Sequence, residues 1–154
     1  MESRAKTAGI AFLIITVVWS LVIWSFSLKN AESSTVDSNA AKSAIESIIE
    51  TVFGEDVDID TNLIRKLAHF CEFAVLGFLA FMTFYFLNHR GYLHLIVYPA
   101  LWGLVVAVTD EFIQLFFEGR SAELSDVFLD LSGAVAAATV LAVIVRITNK
   151  KSRR

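Results

Sequence analysis

Three short stretches of this sequence carry side chains that do chemistry, and each lies in or beside an apolar run. The first is Arg65-Lys66-Leu67-Ala68-His69-Phe70-Cys71-Glu72. On a helix, Arg65, His69 and Glu72 fall at i, i+4 and i+7 and share one face. The second is Asp110-Glu111-Phe112-Ile113-Gln114, where Asp110 and Gln114 share a face with Gly103 and Ala107. The third is Ser125-Asp126-Val127-Phe128-Leu129-Asp130, where Asp126 and Asp130 share a face with Gly133 and Ala137. Arg120 stands between the last two, in the turn Glu118-Gly119-Arg120-Ser121. His69, Glu72, Asp110 and Glu111 are candidates for proton transfer or hydrogen bonding to a ligand. Arg65, Lys66 and Arg120 suit a phosphate or carboxylate. Asp110, Glu111, Asp126 and Asp130 suit an amine, a proton or a divalent cation, with Gln114 as a further binding residue. The sequence alone assigns no metal and no cofactor.

The elements that position these residues are membrane helices. The chain has 154 residues, 56% hydrophobic and 19% charged, with a mean hydropathy of +0.62. Soluble domains run nearer 25% charged. Ala8–Leu28 is 21 residues without a charge, enough to cross a hydrocarbon core of ~30 Å at ~1.5 Å per residue. Three more runs of similar length follow. The expectation is an all-α, four-helix transmembrane bundle with an amphipathic helix in the first outer loop. Its spans are 8–28, 63–87, 93–117 and 125–147. An N-terminal segment 1–7, an outer loop 29–62, an inner turn 88–92, an outer turn 118–124 and a basic tail 148–154 complete a single domain. The first run exceeds a signal-peptide core and lacks a small-residue cleavage pattern after Leu28, so it reads as an uncleaved anchor. Cys71 is the one cysteine, which excludes an intramolecular disulfide; it reads as a small apolar residue packed in the bundle. The net charge of −3 and the lack of a basic stripe argue against nucleic acid.

Charge sets the expected orientation. With four spans both termini share a side, which holds Arg4, Lys6, Arg90, Arg146, Lys150, Lys151, Arg153 and Arg154. The other side holds Lys29, Lys42, Arg65, Lys66 and Arg120 and most of the acidic residues. Eight basic residues against five favour cytoplasmic termini. Trp19, Trp24, Trp102, Tyr92 and Tyr98 suit interfacial aromatics. His89 and His94 fall in or beside the inner turn as polar interface residues.

In the outer loop, Ile45, Ile48, Ile49, Val52 and Phe53 fall at helical spacing. A helix over about 40–53 follows, capped by Asp37, Ser38 or Asn39 and ended by Gly54. It lies over the bundle mouth or in the headgroups, or simply closes the connection. The run Glu55-Asp56-Val57-Asp58-Ile59-Asp60 lacks EF-hand spacing and reads as solvated charge.

This orientation puts all three chemical stretches at one depth, about 5–10 Å below the outer boundary by helix rise. A charge at mid-bilayer costs at least ~2.5–3.5 kcal/mol, so these side chains must face one another or water. Glycine and alanine on the same faces let the helices approach below them. The plain alternative is a polar lock that fixes helix register without a ligand.

At these residues the chain resembles the VanZ-like family, named for a glycopeptide-resistance accessory protein. The family pattern has a basic-x-x-His-x-x-Glu-aromatic segment, an Asp-Glu-x-x-Gln segment, a Gly-Arg turn, and an Asp-Val/Ile-x-x-Asn/Asp segment leading to glycine. Here these are Arg65 through Phe73, Asp110 through Gln114, Gly119-Arg120, and Asp126 through Asp130 with Gly133. Trp24-Ser25-Phe26-Ser27, with Ser33-Ser34 beyond, resembles the family's serine-bearing first segment. Asp130 stands where asparagine is common, and the usual glutamine after the serine is absent. The resemblance implies a multi-pass protein of a bacterial plasma membrane with a link to low-level teicoplanin resistance; it implies no particular reaction.

Three function classes stay open at this point. The first is a protein whose outward pocket binds or modifies a membrane lipid or lipid-linked cell-wall precursor. The second is a membrane hydrolase or transferase, although no nucleophile elbow, His-Glu-x-x-His or phosphate loop is present. The third is a small proton-coupled transporter or flippase, which would need a homo-oligomer to make a through-path.

Overall fold

The computed structural model describes residues 2–28, 31–54, 58–87 and 91–152. Five helices follow in order: α1 (Glu2–Ser27), α2 (Ala31–Phe53), α3 (Thr61–Leu87), α4 (His94–Gln114) and α5 (Leu124–Ser152). Among the described residues there is no strand. The helices α1, α3, α4 and α5 are each long and apolar enough to cross a membrane. The chain is an all-α, multi-pass membrane protein.

Its surface and interior are distributed as lipid demands. Ile14, Val18 and Leu21 on α1, Leu67 and Phe78 on α3, Val105 and Val108 on α4, and Val140 and Ile144 on α5 all face outward. Much of what is polar in the spans faces inward: Thr16, Ser20, Ser27, Thr83, Asp110, Glu111, Gln114 and Asp130 are buried. A lipid tail offers no hydrogen bond, so polar groups in a span find partners on neighbouring helices. Thr16 and Thr83 share a hydrogen bond of 3.0 Å between α1 and α3.

Helix α3 is the hub, packing on α1, α4 and α5, while α5 also packs on α4 and α1 only lightly on α4. Small residues set the closest approach. A Cβ on Gly133 would run into the carbonyl oxygen of Phe70, and one on Gly77 into the backbone of Ala134. A Cβ on Gly103 would come within 2.8 Å of the Ala134 methyl. The apolar core beside this seam is Ile23, Phe73, Leu76, Val106, Ala107 and Val127.

Several boundaries differ from the sequence reading. Helix α2 starts at Ala31 rather than about 40, and α5 continues to Ser152 through the basic tail. Cationic side chains in a last turn complement the helix dipole, which favours that extension. Helix α4 stops at Gln114 because the chain must reverse before α5; Gly119 takes a φ of 75° in that turn. Cys71 is exposed on the outer surface of α3 rather than packed. The three tryptophans bridge helices. Their ring N–H groups donate from Trp19 to the Glu72 carbonyl (3.0 Å), from Trp24 to the Val106 carbonyl (3.2 Å) and from Trp102 to Ser20 Oγ (3.1 Å). A half-buried indole N–H needs a partner, and these helices supply one.

Among the described residues, helix α2 packs on α3 alone. Its tether is polar: Lys42 donates to Asp58, Glu46 accepts the Ile59 N–H at 2.9 Å, and Thr61 donates to Asn39 at 3.0 Å. Ile45, Ile48 and Val52 point away from the bundle. Lys29, Glu55, Asp56, Val57, His89, Arg90, Arg153 and Arg154 lie outside the described residues, as do the side chains of Glu2, Ser33, Ser34, Asp37, Phe53 and Lys151.

Candidate functional site

Helix geometry converts the three chemical stretches into one cluster. His69 sits two turns into α3, Asp110 one turn before the end of α4, and Asp130 near the start of α5. Antiparallel packing brings these positions level at the end of the bundle where α2 lies. A ligand atom from each of His69, Asp110 and Asp130 falls within 4.8 Å of the others. Both aspartates are fully buried.

Each member is held differently. Asp110 is the best satisfied: Ser27 Oγ donates to Oδ1 at 2.5 Å and Gln114 Nε2 to Oδ2 at 2.9 Å. Two helices therefore fix one carboxylate, Gln114 from one turn on along α4 and Ser27 arriving from α1. Asp130 is the opposite case. His69 Nδ1 stands 3.6 Å from its Oδ1, beyond normal hydrogen-bond length, and neither of its oxygens accepts a hydrogen bond among the described residues. A buried polar atom left without a donor costs about 1–3 kcal/mol, more when charged, and the imidazole, within ion-pair reach if protonated, is the one compensating group that the described residues place beside it.

The remaining sequence candidates surround this centre. Glu111 turns away from it and accepts the Glu123 backbone N–H at 2.8 Å, which ties the turn before α5 to α4. Asp126, in the first turn of α5, lies 3.9 Å from Lys66. Arg65, His69 and Arg120 line two chambers in common. One, of about 90 Å³, extends over Lys66, Gln114, Asp126 and Asp130. The other, of about 230 Å³, is walled by Ile23, Phe26 and Ser27 of α1 and by Ile64, Ala68 and Glu72 of α3. Ser38 and Ala41 of α2 contribute its roof. Burial, and then the nearby Arg65 guanidinium, push Arg120 down from its ordinary value; an arginine keeps its charge through such a shift. Two guanidinium groups that oppose each other gain from an anion between them.

Sequence spacing alone did not select Ser27. Thr16, Ser20, Ile23 and Ser27 fall at i, i+4, i+7 and i+11 and are all buried. The three hydroxyls in that stripe, at Thr16, Ser20 and Ser27 of a largely apolar span, were the available signal.

The VanZ/LLP1 family model matches residues 12–146. No curated protein and no solved structure matches the chain.

Proposed function

Since the chain belongs to the VanZ/LLP1 family, we propose that it serves in a bacterial cell envelope by binding or modifying a lipid-linked component at the α2 end of its bundle. The carrying observation is the lining of the 230 Å³ chamber. It is apolar at Ile23, Phe26, Ile64 and Ala68, and cationic at Arg65 and Arg120. Such a lining fits an amphiphile: an anionic head between the arginines and the first methylenes against the apolar wall. His69 and Glu72, on the same wall, supply proton transfer or hydrogen bonds to the head. Positive-inside bias puts this end outward in the plasma membrane, with both termini cytoplasmic. Low-level teicoplanin resistance follows if the pocket alters or shields a lipid-anchored target.

Native mass spectrometry of protein extracted from bacterial membranes tests this reading. A co-purifying phospholipid or phosphorylated isoprenoid is expected, and Arg65→Ala and Arg120→Ala should each lower its occupancy about tenfold, the loss of one charge-assisted contact. Arg120→Lys should not restore it, because an ammonium lacks the planar fork. Lipid occupancy unchanged in both alanine variants would refute the proposal.

A further inference from the structure

We infer that His69, Asp110 and Asp130 together form a binding site for one divalent transition-metal ion of the zinc, manganese or iron class. The inference goes beyond headgroup binding and does not depend on it.

The two aspartates are fully buried, and one atom from each lies within 4.8 Å of the other and of His69. Two carboxylates at that separation in a medium of low dielectric repel strongly, and buried charges persist only when paired or bound to metal. The oxygens of Asp130, buried without a hydrogen-bond donor and with the His69 ring alone at ion-pair distance among the described residues, are the second, separate observation. Asp130 is 0% exposed, it sits among the other two, and neither Oδ1 nor Oδ2 accepts a hydrogen bond among the described residues. His69 Nδ1, 3.6 Å from Oδ1, is at the spacing expected of two ligands on one ion with bonds of about 2.0–2.2 Å.

The support around the set is of the kind that metal sites use. Ser27 and Gln114 hydrogen-bond to Asp110, one to each oxygen. Such outer contacts fix a ligand carboxylate and leave its free lone pairs aimed inward. Two anionic oxygens and a neutral imidazole nitrogen balance a dication and leave the site neutral in lipid. Mixed nitrogen and oxygen donors favour zinc, manganese or iron over magnesium or calcium, which prefer all-oxygen shells. Three protein ligands would leave further coordination positions for water or another ligand, and His69 also lines the 230 Å³ chamber.

The test is elemental analysis of the full-length chain purified without chelator, followed by chelator stripping and titration with Zn2+ or Mn2+. A stoichiometric ion in the preparation, or saturable uptake of one ion after stripping, is expected. Asp130→Asn and Asp110→Asn should each lower metal affinity at least about tenfold, and Ser27→Ala by about 10–100-fold as an outer-contact loss. Glu118→Gln, in the exposed turn, should leave uptake unchanged. Wild-type protein that holds no ion and takes up neither metal overturns the inference, whether or not the variants fold. So does an Asp130→Asn protein that binds metal as the wild type does. A cluster quenched by protons alone gives the first of these results. Lipid occupancy read on the same preparations separates this outcome from that of the headgroup proposal.

Discussion

Ser27 donates a 2.5 Å hydrogen bond to Asp110 across 83 residues of sequence, so the last residue of α1 holds the carboxylate at the centre of the polar cluster. This contact makes α1 part of the site. Without it the first span would serve as anchor and wall only. The serine also keeps one buried carboxylate oxygen from standing without a donor.

Replacing Ser27 by alanine should therefore destabilise the fold by about 1–3 kcal/mol, the cost of an unsatisfied buried partner. Thermal unfolding in detergent, followed by tryptophan fluorescence, reads it directly: Trp19 and Trp24 lie on the same helix and report separation of α1 from α3 and α4. An unchanged transition would mean that Asp110 finds another donor.

Gly133→Ala should cost about 1–3 kcal/mol by overpacking, because the added methyl meets the Phe70 carbonyl. Its neighbour Ser132 is exposed, and Ser132→Ala should stay within about 0.5 kcal/mol. The same unfolding measurement on the two variants separates a helix–helix seam from a general dislike of change in α5. Equal effects would argue that α3 and α5 do not meet at this glycine.

Helix α2 should lie on the outer membrane surface with its apolar stripe in the headgroups. In a Cys71→Ala background, Ser43→Cys, which is exposed, should react with a membrane-impermeant maleimide on intact cells. Asn149→Cys, near the end of α5, should react only after permeabilisation. A nitroxide at Ile48, which is also exposed and points away from the bundle, should be more accessible to oxygen than to a water-soluble nickel relaxant. The reverse labelling pattern would invert the topology and place the chamber on the cytoplasmic side.

The spans and the shared level of the polar residues along the bundle were legible in the sequence because both are one-dimensional facts. Length and hydropathy mark what crosses a membrane, and helix rise converts residue number to depth. That is why His69, Asp110 and Asp130 could be named together before any contact was known. Helix ends were less legible: α2 begins within Ala31-Glu32-Ser33-Ser34, where no apolar stripe announces a helix.

The sequence by itself determined a membrane bundle with a buried polar layer, since lipid admits charged groups only where they meet. Which of those groups meet was decided by rotation of each helix about its axis, set where Gly77, Gly103 and Gly133 let neighbours close in. That rotation turned Glu111 toward the Glu123 backbone, brought Ser27 onto Asp110, and left the Asp130 side chain buried with no hydrogen-bond donor among the described residues. Contacts between distant residues depend on packing in three dimensions, and no spacing along one helix encodes them.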